Sequence, residues 1–458
     1  MKIYGDITKI FMIGIGGSGM SGIAIILNNI GYKVRGSDLN TESDTAKYLK
    51  RIGIDLVKGH KAENLIDEQV VVYSSAIKFN NPELLEARRR GLLILRRAEM
   101  LSELMRLKFG IAVSGSHGKT TTTSMLGQIL EYSLFDPTIV VGGKVKNFKS
   151  SAKIGKGEVM LVEADESDGS FLKFSPAVSI ITNIDREHLD HYKNFEDLKE
   201  SFVKFANSTP FYGIVVACYD DGIIREIIPG INRVVRTYGL KKGADLRGEI
   251  LDEKKSKFRV YCDEKPLGEI KMKVMGEHNI RNALASIAVA LYLKKIPFDN
   301  IKEALESFEG VSRRFDLRYK GKISVVEDYG HHPTEIKATV EIAKLYGAKR
   351  VVMVFQPHRY SRTKLLLKDF PKAFKGVDYL ILTDIYPASE TPIEGVNGEL
   401  LYNEILNNGF KNIKYIKNLE DTVDYLFKNK KDGDLIIFQG AGNIRNMIPV
   451  FIERLKNE

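Results

Sequence analysis

One stretch of this sequence, GSHGKTT at residues 115–121, has the composition of a loop that binds nucleotide phosphates. The general phosphate-loop pattern G-x-x-x-x-G-K-[ST] requires glycine at position 113, where this chain has Val113, and the glycine present instead is Gly115. A predicted strand precedes the loop and a predicted helix follows it, so backbone N–H groups would face a phosphate. Lys119 would then reach the β and γ phosphates, and the Thr120 hydroxyl would hold Mg²⁺. A plain glycine turn with a capping threonine is the alternative interpretation.

A second glycine-rich stretch, GIGGSG, places Gly14, Gly16 and Gly19 between a predicted strand and a predicted helix. Asp38 closes the next predicted strand, 19 residues after Gly19. This pattern is typical of dinucleotide binding, with a diphosphate on backbone amides and a ribose hydroxyl on the acidic residue. It leaves three interpretations open: NAD-type binding, binding of another nucleoside diphosphate, or a structural turn.

The two glycine-rich stretches are more informative together than separately. A hydride-transfer enzyme has no evident need for a second phosphate loop that carries Lys-Thr. An enzyme with two phosphate-bearing substrates does, and the sequence favours that class.

Acidic and histidine side chains follow two further predicted strands, in VEADESDGSF and TNIDREHLDHY. The carboxyl ends of parallel strands meet at one edge of a sheet, where open α/β sheets bind ligands. Glu163 and His188 are therefore the candidate Mg²⁺ ligands beside the phosphate loop. The alternative is that such residues cap helices and face water.

Three later stretches also carry candidate binding residues. GEHNIRNALAS begins a strongly predicted helix, and Asn279 and Asn282 share one face of it. Their amides would suit the edge of adenine, or else cap the helix. EDYGHHPTE and FQPHRYSRT each follow a predicted strand. Arg359 and Arg362, three residues apart, suit a carboxylate or phosphate, unless they are surface arginines on a solvated loop.

Elements that would position these residues alternate between short buried strands and helices, which predicts α/β architecture. We expect three α/β domains, at residues 1–105, 106–312 and 313–458. Residues 245–274 break the alternation with a polar–apolar pattern around turn residues, which predicts a small antiparallel part in the central domain.

Composition restricts the class of protein. Of 458 residues, 43% are hydrophobic and 28% charged, a globular profile without an apolar run of membrane-spanning length or a signal-peptide layout. We therefore expect a cytoplasmic protein that does not bind membranes. The net charge of +10 is spread over scattered basic residues, so no nucleic-acid partner is expected. Cys218 and Cys262 are too few and too isolated for a disulfide framework or zinc site.

The full set of stretches, in order along nearly the whole chain, resembles the Mur ligases of bacterial peptidoglycan precursor synthesis. GSHGKTT is similar to that family's own loop, G-T-[HN]-G-K-T-T, in which Gly115 is the expected glycine. DYGHHPTE with FQPHRYSRT favours the members that add L-alanine to UDP-N-acetylmuramate. The runner-up is a recycling ligase that attaches the L-Ala-γ-D-Glu-diaminopimelate tripeptide.

This resemblance implies a fold, an activity and partners. The fold would be a Rossmann-like N-terminal domain that binds UDP-N-acetylmuramate, a P-loop ATPase-like central domain, and a Rossmann-like C-terminal domain that closes over ATP and binds the amino acid. The activity would be ATP-dependent amide formation through an acyl phosphate, with Mg²⁺ or Mn²⁺ as cofactor. The partners would be UDP-N-acetylmuramate, L-alanine and ATP, and the enzyme a monomer or weak homodimer.

The resemblance also assigns residues. Those for UDP-N-acetylmuramate are Gly14, Gly16, Gly17, Ser18, Gly19, Asp38, Ser74 and Ser75. Those for ATP are Gly115, Ser116, Gly118, Lys119, Thr120, Thr121, Asn279, Asn282, Arg314 and Asp328, with Asp328 on the ribose. The metal ligands would be Thr120, Glu163 and His188. Arg359 and Arg362 would hold the L-alanine carboxylate, and His331 would line the reaction centre. Lys119, His188, Arg314 and His331 are the expected catalytic residues.

Two other classes of function stay open on the sequence. A nicotinamide-dependent dehydrogenase would use Gly14–Gly19 but leaves Lys119, Thr120 and the arginine pair unexplained. A non-enzymatic nucleotide-binding module or ATPase switch would use the phosphate loop without either substrate.

Overall fold

The computed structural model describes residues 7–74, 76–141, 152–188, 191–388 and 390–457. The chain divides into two compact units. The first unit comprises residues 1–249, 259–270 and 281–308, and the second comprises residues 250–258, 271–280 and 309–458. Among the described residues, no helix is both long and apolar enough to cross a membrane.

The N-terminal sheet has five parallel strands in the order β3-β2-β1-β4-β5. Its elements are β1 (Lys9–Ile13), α1 (Ser18–Asn29), β2 (Lys33–Asp38), α2 (Asp44–Arg51), β3 (Asp55–Lys58), β4 (Val70–Tyr73), α3 (Pro82–Arg89), β5 (Leu93–Arg96) and α4 (Arg97–Met105). Strand β1 is central and buried on both faces, which explains its unbroken apolar run. The strand order reverses between β1 and β4, and ligands bind at such a switch point in open α/β sheets.

The central sheet has ten strands in the order β15-β14-β13-β12-β11-β10-β6-β9-β7-β8. Its strands are β6 (Phe109–Ser114), β7 (Thr138–Val140), β8 (Ala152–Lys153), β9 (Val159–Glu163), β10 (Val178–Ile181), β11 (Ile214–Cys218), β12 (Val235–Gly239), β13 (Leu246–Asp252), β14 (Lys257–Cys262) and β15 (Lys265–Lys271). The helices are α5 (Lys119–Tyr132), α6 (Phe195–Asn207), α7 (Gly222–Ile227), α8 (Glu277–Tyr292) and α9 (Phe298–Ser307). Strands β6, β9, β10 and β11 are parallel, so their carboxyl ends form one edge.

The antiparallel part expected near residues 245–274 is present. Strands β14 and β15 are neighbours joined only by Asp263 and Glu264, a connection too short for parallel pairing. Both linking residues have positive φ, +47° and +59°, as a type I′ hairpin turn requires.

The C-terminal sheet has six strands in the order β16-β17-β21-β18-β19-β20, of which only β16 runs antiparallel to its neighbour. The strands are β16 (Asp316–Lys320), β17 (Ser324–Asp328), β18 (Arg350–Phe355), β19 (Tyr379–Leu382), β20 (Ile413–Tyr415) and β21 (Asp434–Gln439). The helices are α10 (Pro333–Tyr346), α11 (Tyr360–Leu365), α12 (Phe370–Ala373), α13 (Gly398–Asn407), α14 (Asp421–Asn429) and α15 (Met447–Lys456). Apolar clusters cover both faces of this sheet, as a parallel sheet requires.

The α/β fold class with three successive sheets is thus confirmed. The boundaries at residues 105 and 312 stay predictions, because the two compact units divide the chain differently. Candidate residues follow the carboxyl ends of strands in each sheet, at β1, β6, β9, β17 and β18, whereas Asn279 and Asn282 lie on α8 and Arg314 precedes β16.

Candidate active site

The phosphate loop, residues 115–118, connects β6 to α5. At two of its positions, Gly115 and Gly118, the backbone and its surroundings accommodate only glycine. Gly115 has φ of +133°, and a Cβ there would lie 2.1 Å from the Thr182 hydroxyl oxygen. Gly118 has φ of +83°, and a Cβ there would lie 2.6 Å from Asn282 Oδ1. Val113, by contrast, is a fully buried strand residue of β6. This geometry explains why the loop carries its first glycine at 115 and none at 113.

The segment after β10 holds the phosphate loop through hydrogen bonds in both directions. The Ser116 amide donates to the Asn183 carbonyl at 3.0 Å, and the His117 amide donates to Asn183 Oδ1 at 2.8 Å. In return, the Thr182 hydroxyl donates to the His117 carbonyl at 2.6 Å, and the Asp185 amide donates to Ser116 Oγ at 2.8 Å. The loop conformation is therefore set by tertiary contacts before any nucleotide binds.

Lys119 begins α5 and points back into the loop. Its ammonium donates to the Gly115 carbonyl at 2.6 Å and the Ser116 carbonyl at 3.2 Å, and it lies 2.8 and 2.9 Å from the two carboxylate oxygens of Glu166. Burial acts to lower the pKa of Lys119, but the charges of Glu166 and Asp165 outweigh it and raise that pKa above its usual value. The ammonium is consequently charged at neutral pH, and the predicted binding of phosphate by Lys119 requires that charge.

The threonine run after Lys119 has hydroxyl partners, which removes the usual objection to threonine at a helix start. The Thr120 hydroxyl lies 3.0 Å from both carboxylate oxygens of Glu163, at the end of β9. The Thr123 hydroxyl donates to the Lys119 carbonyl at 2.9 Å. Thr121 is almost completely buried. The structure thus brings Thr120 and Glu163 together beside the loop, and their role as metal ligands stays a prediction.

Asn282 has a bracing contact in the first unit. Its Oδ1 accepts from the Thr122 hydroxyl at 3.2 Å, next to the loop glycine described above. In the second unit, Asn279 donates to the Met275 carbonyl at 2.7 Å. Proximity of the two asparagines to adenine stays a prediction.

His188 lies in a second acidic group. Its Nε2 is 3.5 Å from Glu166 Oε1 and 3.6 Å from Glu187 Oε2, and the three residues offer ligand atoms within 4.8 Å of one another. Glu166 and Glu187 are buried, and His188 has a φ of +58°, a strained value for a non-glycine residue. Carboxylate oxygens and an imidazole fit a divalent cation. Glu166 also contacts Lys119, so this acidic group lies directly beside the phosphate loop.

Sequence reasoning had not assigned Glu166 and Glu187 to the metal. The only signal was their presence in the EADESD and DREH stretches.

The N-terminal glycine loop lies against the end of β2. The amides of Gly14 and Ile15 donate to the Ser37 carbonyl at 2.8 and 3.1 Å, and the Gly16 amide donates to Asp38 Oδ2 at 2.8 Å. Ser74 follows β4, and a Cβ on Gly14 would lie 3.4 Å from its Cβ. The structure therefore brings Asp38 and Ser74 to this loop.

The other residues assigned to the sugar nucleotide lie around the start of α1 and just after Ser74. A Cβ on Gly19 would lie 3.0 Å from Arg97 Nη1, so a guanidinium flanks the first turn of α1. Gly17 precedes that helix as its N-terminal cap residue. Ser75 and the side chain of Ser18 lie outside the described residues.

In the second unit, histidines and arginines cluster after β17 and β18. The rings of His331 and His358 are 5.3 Å apart, and His358 stacks on Tyr386 at 5.7 Å. Arg362 Nη1 lies 3.1 Å from His358 Nδ1. Burial, with the nearby charges of His331, Arg362 and Arg359, lowers the pKa of His358 to about 3.

The protonation state of His358 follows from these contacts. A guanidinium can only donate, so Nδ1 accepts and the proton of the neutral ring is on Nε2. Sequence reasoning missed His358, although it stands in FQPHRYSRT beside the two predicted arginines.

Arg359 is held in an unusual backbone conformation, with φ of +71°. Its Nε is 4.0 Å from Glu390 Oε1. Glu390 also accepts from the Ser361 amide at 3.1 Å and the Ser361 hydroxyl at 2.6 Å. This carboxylate therefore fixes the turn that carries the arginine.

Arg314 and His331 share one acidic partner. Arg314 Nη1 donates to Glu335 Oε1 at 3.0 Å, and the His331 amide donates to Glu335 Oε2 at 3.0 Å. Arg313 instead pairs with Glu327 at 2.9 Å, and burial lowers its pKa. The assignment of Arg314 to ATP stays a prediction.

Asp328, at the end of β17, is buried and fully engaged. Its carboxylate accepts from the Phe315 amide at 2.7 Å, the Gly330 amide at 2.7 Å and Gln439 Nε2 at 2.9 Å. Burial raises its pKa. These contacts give Asp328 a bracing role, and the ribose contact stays a prediction.

The fold and the site define a class. A glycine loop at the switch point of one sheet, with a lysine-bearing phosphate loop on the next, belongs to an α/β enzyme with two phosphate-bearing ligands. Family models match three successive regions: "Mur ligase family, catalytic domain" at residues 9–109, "Mur ligase middle domain" at 113–290 and "Mur ligase, glutamate ligase domain" at 313–442. The chain belongs to the Mur ligase family.

Individual relatives narrow the comparison. The chain is 49% identical over 458 residues to the UDP-N-acetylmuramate–L-alanine ligase of Trichlorobacter lovleyi, covering 99% of this chain and 100% of that one. It is 48% identical to the ligase of the same name from Geotalea uraniireducens, covering 100% of both. The crystal structure of UDP-N-acetylmuramate-alanine ligase MurC from Thermotoga maritima is similar with a TM-score of 0.82 at 30% identity, covering 98% of this chain and 99% of that one.

Gly115→Ala is expected to destabilise the protein by about 2–5 kcal/mol, because the new Cβ would overlap Thr182 at a φ unfavourable to alanine. Gly31→Ala is the matched control: its φ is +99°, but no atom lies within 4 Å of the new Cβ. It should cost only about 1 kcal/mol. Urea unfolding of both variants measures the difference, and equal losses would show that Thr182 does not restrict the loop.

Proposed function

We propose that this chain joins L-alanine to the lactyl carboxylate of UDP-N-acetylmuramate, with conversion of ATP to ADP and phosphate. The observation that carries the proposal is the 48–49% identity, over essentially the whole chain, to ligases named for that reaction. The geometry of both units supports it, because each provides part of the chemistry that the reaction needs.

The reaction must first turn a carboxylate into an electrophile. A carboxylate oxygen attacks the γ-phosphorus of ATP, ADP leaves, and an acyl phosphate forms. The amine of L-alanine then attacks the acyl carbon, the nitrogen loses a proton, and inorganic phosphate leaves. Two anions approach each other in the first step, so positive charge at the γ-phosphate is the main requirement.

Lys119 meets that requirement in our proposal. Phosphate oxygens would take the place of Glu166 and the loop carbonyls as acceptors for its ammonium. Thr120 and Glu163 beside the loop, together with the group of Glu166, Glu187 and His188, would offer oxygen and imidazole ligands to Mg²⁺ or Mn²⁺. A cation there would neutralise charge on the phosphate oxygens.

UDP-N-acetylmuramate would place its diphosphate at the Gly14–Gly19 loop and its ribose near Asp38. The Gly16 amide donates to an oxygen of the Asp38 side chain, so the loop and the acidic residue at the end of β2 lie within hydrogen-bonding distance, as this mode of nucleotide binding requires.

L-Alanine would bind in the second unit. Arg359 and Arg362 would take its carboxylate, and the neutral His358 would offer Nε2–H without repelling the ammonium group. His331 would lie beside them, while Arg314 and Asp328 would serve ATP. We place the enzyme in the cytoplasm, where ATP and nucleotide-activated sugars are available, as a monomer or weak homodimer.

Phosphate release by the purified protein tests the proposed function. With ATP and UDP-N-acetylmuramate, release should depend on L-alanine and greatly exceed that with the L-Ala-γ-D-Glu-diaminopimelate tripeptide. Preference for the tripeptide would indicate a recycling ligase. Release independent of both substrates would indicate an ATPase switch, and binding of reduced nicotinamide without UDP-N-acetylmuramate binding would indicate a dehydrogenase.

Lys119→Ala should abolish L-alanine-dependent phosphate release, by more than about a hundredfold, because the γ-phosphate loses its main cationic partner. Binding of UDP-N-acetylmuramate, measured by calorimetry, should be nearly unchanged, because the Gly14–Gly19 loop belongs to the N-terminal sheet and Lys119 to the central sheet. Lys265→Ala, at an exposed lysine of the same unit, is the control. Simultaneous loss of release and sugar-nucleotide binding would contradict the assignment of Lys119 to ATP.

Arg359→Ala should raise KM for L-alanine by about a hundredfold through loss of a charge-assisted contact, with little change in KM for ATP. Arg454→Ala, at a partly exposed arginine of α15, provides the control. If both KM values rise equally, this arginine does not hold the amino acid.

A further inference from the structure

A buried polar network at the carboxyl ends of β2 and β3 has no part in the chemistry described so far. Glu83, in the first turn of α3, is completely buried. Its carboxylate accepts from Asn64 Nδ2 at 2.6 Å and from the Ser37 hydroxyl at 2.7 Å, and it lies 2.8 Å from His60 Nδ1. A buried carboxylate with three side-chain partners holds each of them in one orientation.

This network decides which nitrogen of His60 carries the proton. The Ser37 hydroxyl proton is directed at Glu83 Oε2, and carboxylate oxygens accept hydrogen bonds, so Nδ1 of His60, which contacts both of these oxygens, is assigned as the donor. The neutral ring then presents Nε2 as an acceptor. Within the described residues no hydrogen bond to Nε2 is found. The atom is also not one of the fully buried polar atoms that lack a partner, so it is accessible. The lone pair of Nε2 is therefore open to a ligand.

His60 lies next to the predicted nucleotide site. The Gly59 amide donates to the Asp38 carbonyl at 2.9 Å, and the Asp38 carboxylate binds the Gly16 amide. In such sheets the diphosphate lies at the glycine loop and the ribose at the acidic residue ending β2. The base must then extend beyond Asp38, over the ends of β2 and β3, where His60 is located.

We propose that His60 is a specificity-determining residue that reads the base: its Nε2 accepts a hydrogen bond from N3–H of uracil, with Glu83 as the positioning residue. Uracil presents a donor at N3, whereas cytosine presents a lone pair there, which would face the lone pair of Nε2. The site thus rejects cytosine by leaving two acceptors opposed. This inference rests on the proposed function, because it concerns the nucleotide part of UDP-N-acetylmuramate.

Calorimetric binding of UDP, CDP and N3-methyl-UDP to the full-length protein tests the inference. The wild-type protein should bind UDP about tenfold or more tightly than either analogue, since one hydrogen bond is lost in each. His60→Asn is the informative variant, because its side-chain amide can still donate to Glu83 while no atom replaces Nε2. It should lose about tenfold in UDP affinity and leave N3-methyl-UDP affinity unchanged.

Further variants separate base reading from a structural role. His60→Ala should also abolish the preference for UDP over N3-methyl-UDP, and thermal unfolding reports its stability. Glu83→Gln should reduce the ratio of UDP affinity to N3-methyl-UDP affinity, because the proton of His60 is no longer fixed on Nδ1. Glu63→Gln, at an exposed neighbouring carboxylate, should change nothing.

The outcomes are distinguishable. Equal weakening of UDP and N3-methyl-UDP by His60→Asn, or no weakening of either, would overturn the inference while UDP binding itself stands. A wild-type protein that fails to bind UDP would overturn the proposed function and this inference with it.

Discussion

The contact of the phosphate loop with the end of β10 is the constraint on which the site depends. Gly115 fits only because no Cβ projects toward Thr182, and the amides of Ser116 and His117 are tied to Asn183. These contacts fix the start of α5 and hence the positions of Lys119 and Thr120. Glu163 at the end of β9 and Glu166 just after it can then contact Thr120 and Lys119 without further rearrangement.

The two units prepare different kinds of recognition. In the first unit, a charged lysine and several carboxylates lie at the phosphate loop, as the proposed binding of phosphate and a cation requires. In the second unit, burial keeps His358 neutral between arginines. That contrast suits a reaction with one substrate activated by phosphorylation and the other a small zwitterion.

Sequence patterns predicted the parts of the site that depend on local context. The glycine stretches, the lysine and the threonine run stand between a strand and a helix, and strand order alone brings Glu163 to Thr120. The pairing of His188 with Glu187 and Glu166 was not predictable, because it depends on a positive φ at His188 that no periodicity reveals. The network of Ser37, His60 and Glu83 was likewise missed, since it joins residues 23 and 46 positions apart through tertiary packing.

Glu166 occupies the Lys119 ammonium, so it competes with any phosphate group for that side chain. In the structure the Lys119 ammonium is satisfied by this carboxylate and by loop carbonyls, so its buried charge is compensated within the protein. Any phosphate must outcompete those oxygens. In the proposed reaction a triphosphate would do so with more negative charge than a diphosphate, and the same carboxylate would regain the lysine after transfer of the γ-phosphate. ADP would then be bound less tightly, so product release would depend on a side chain that takes no part in bond making.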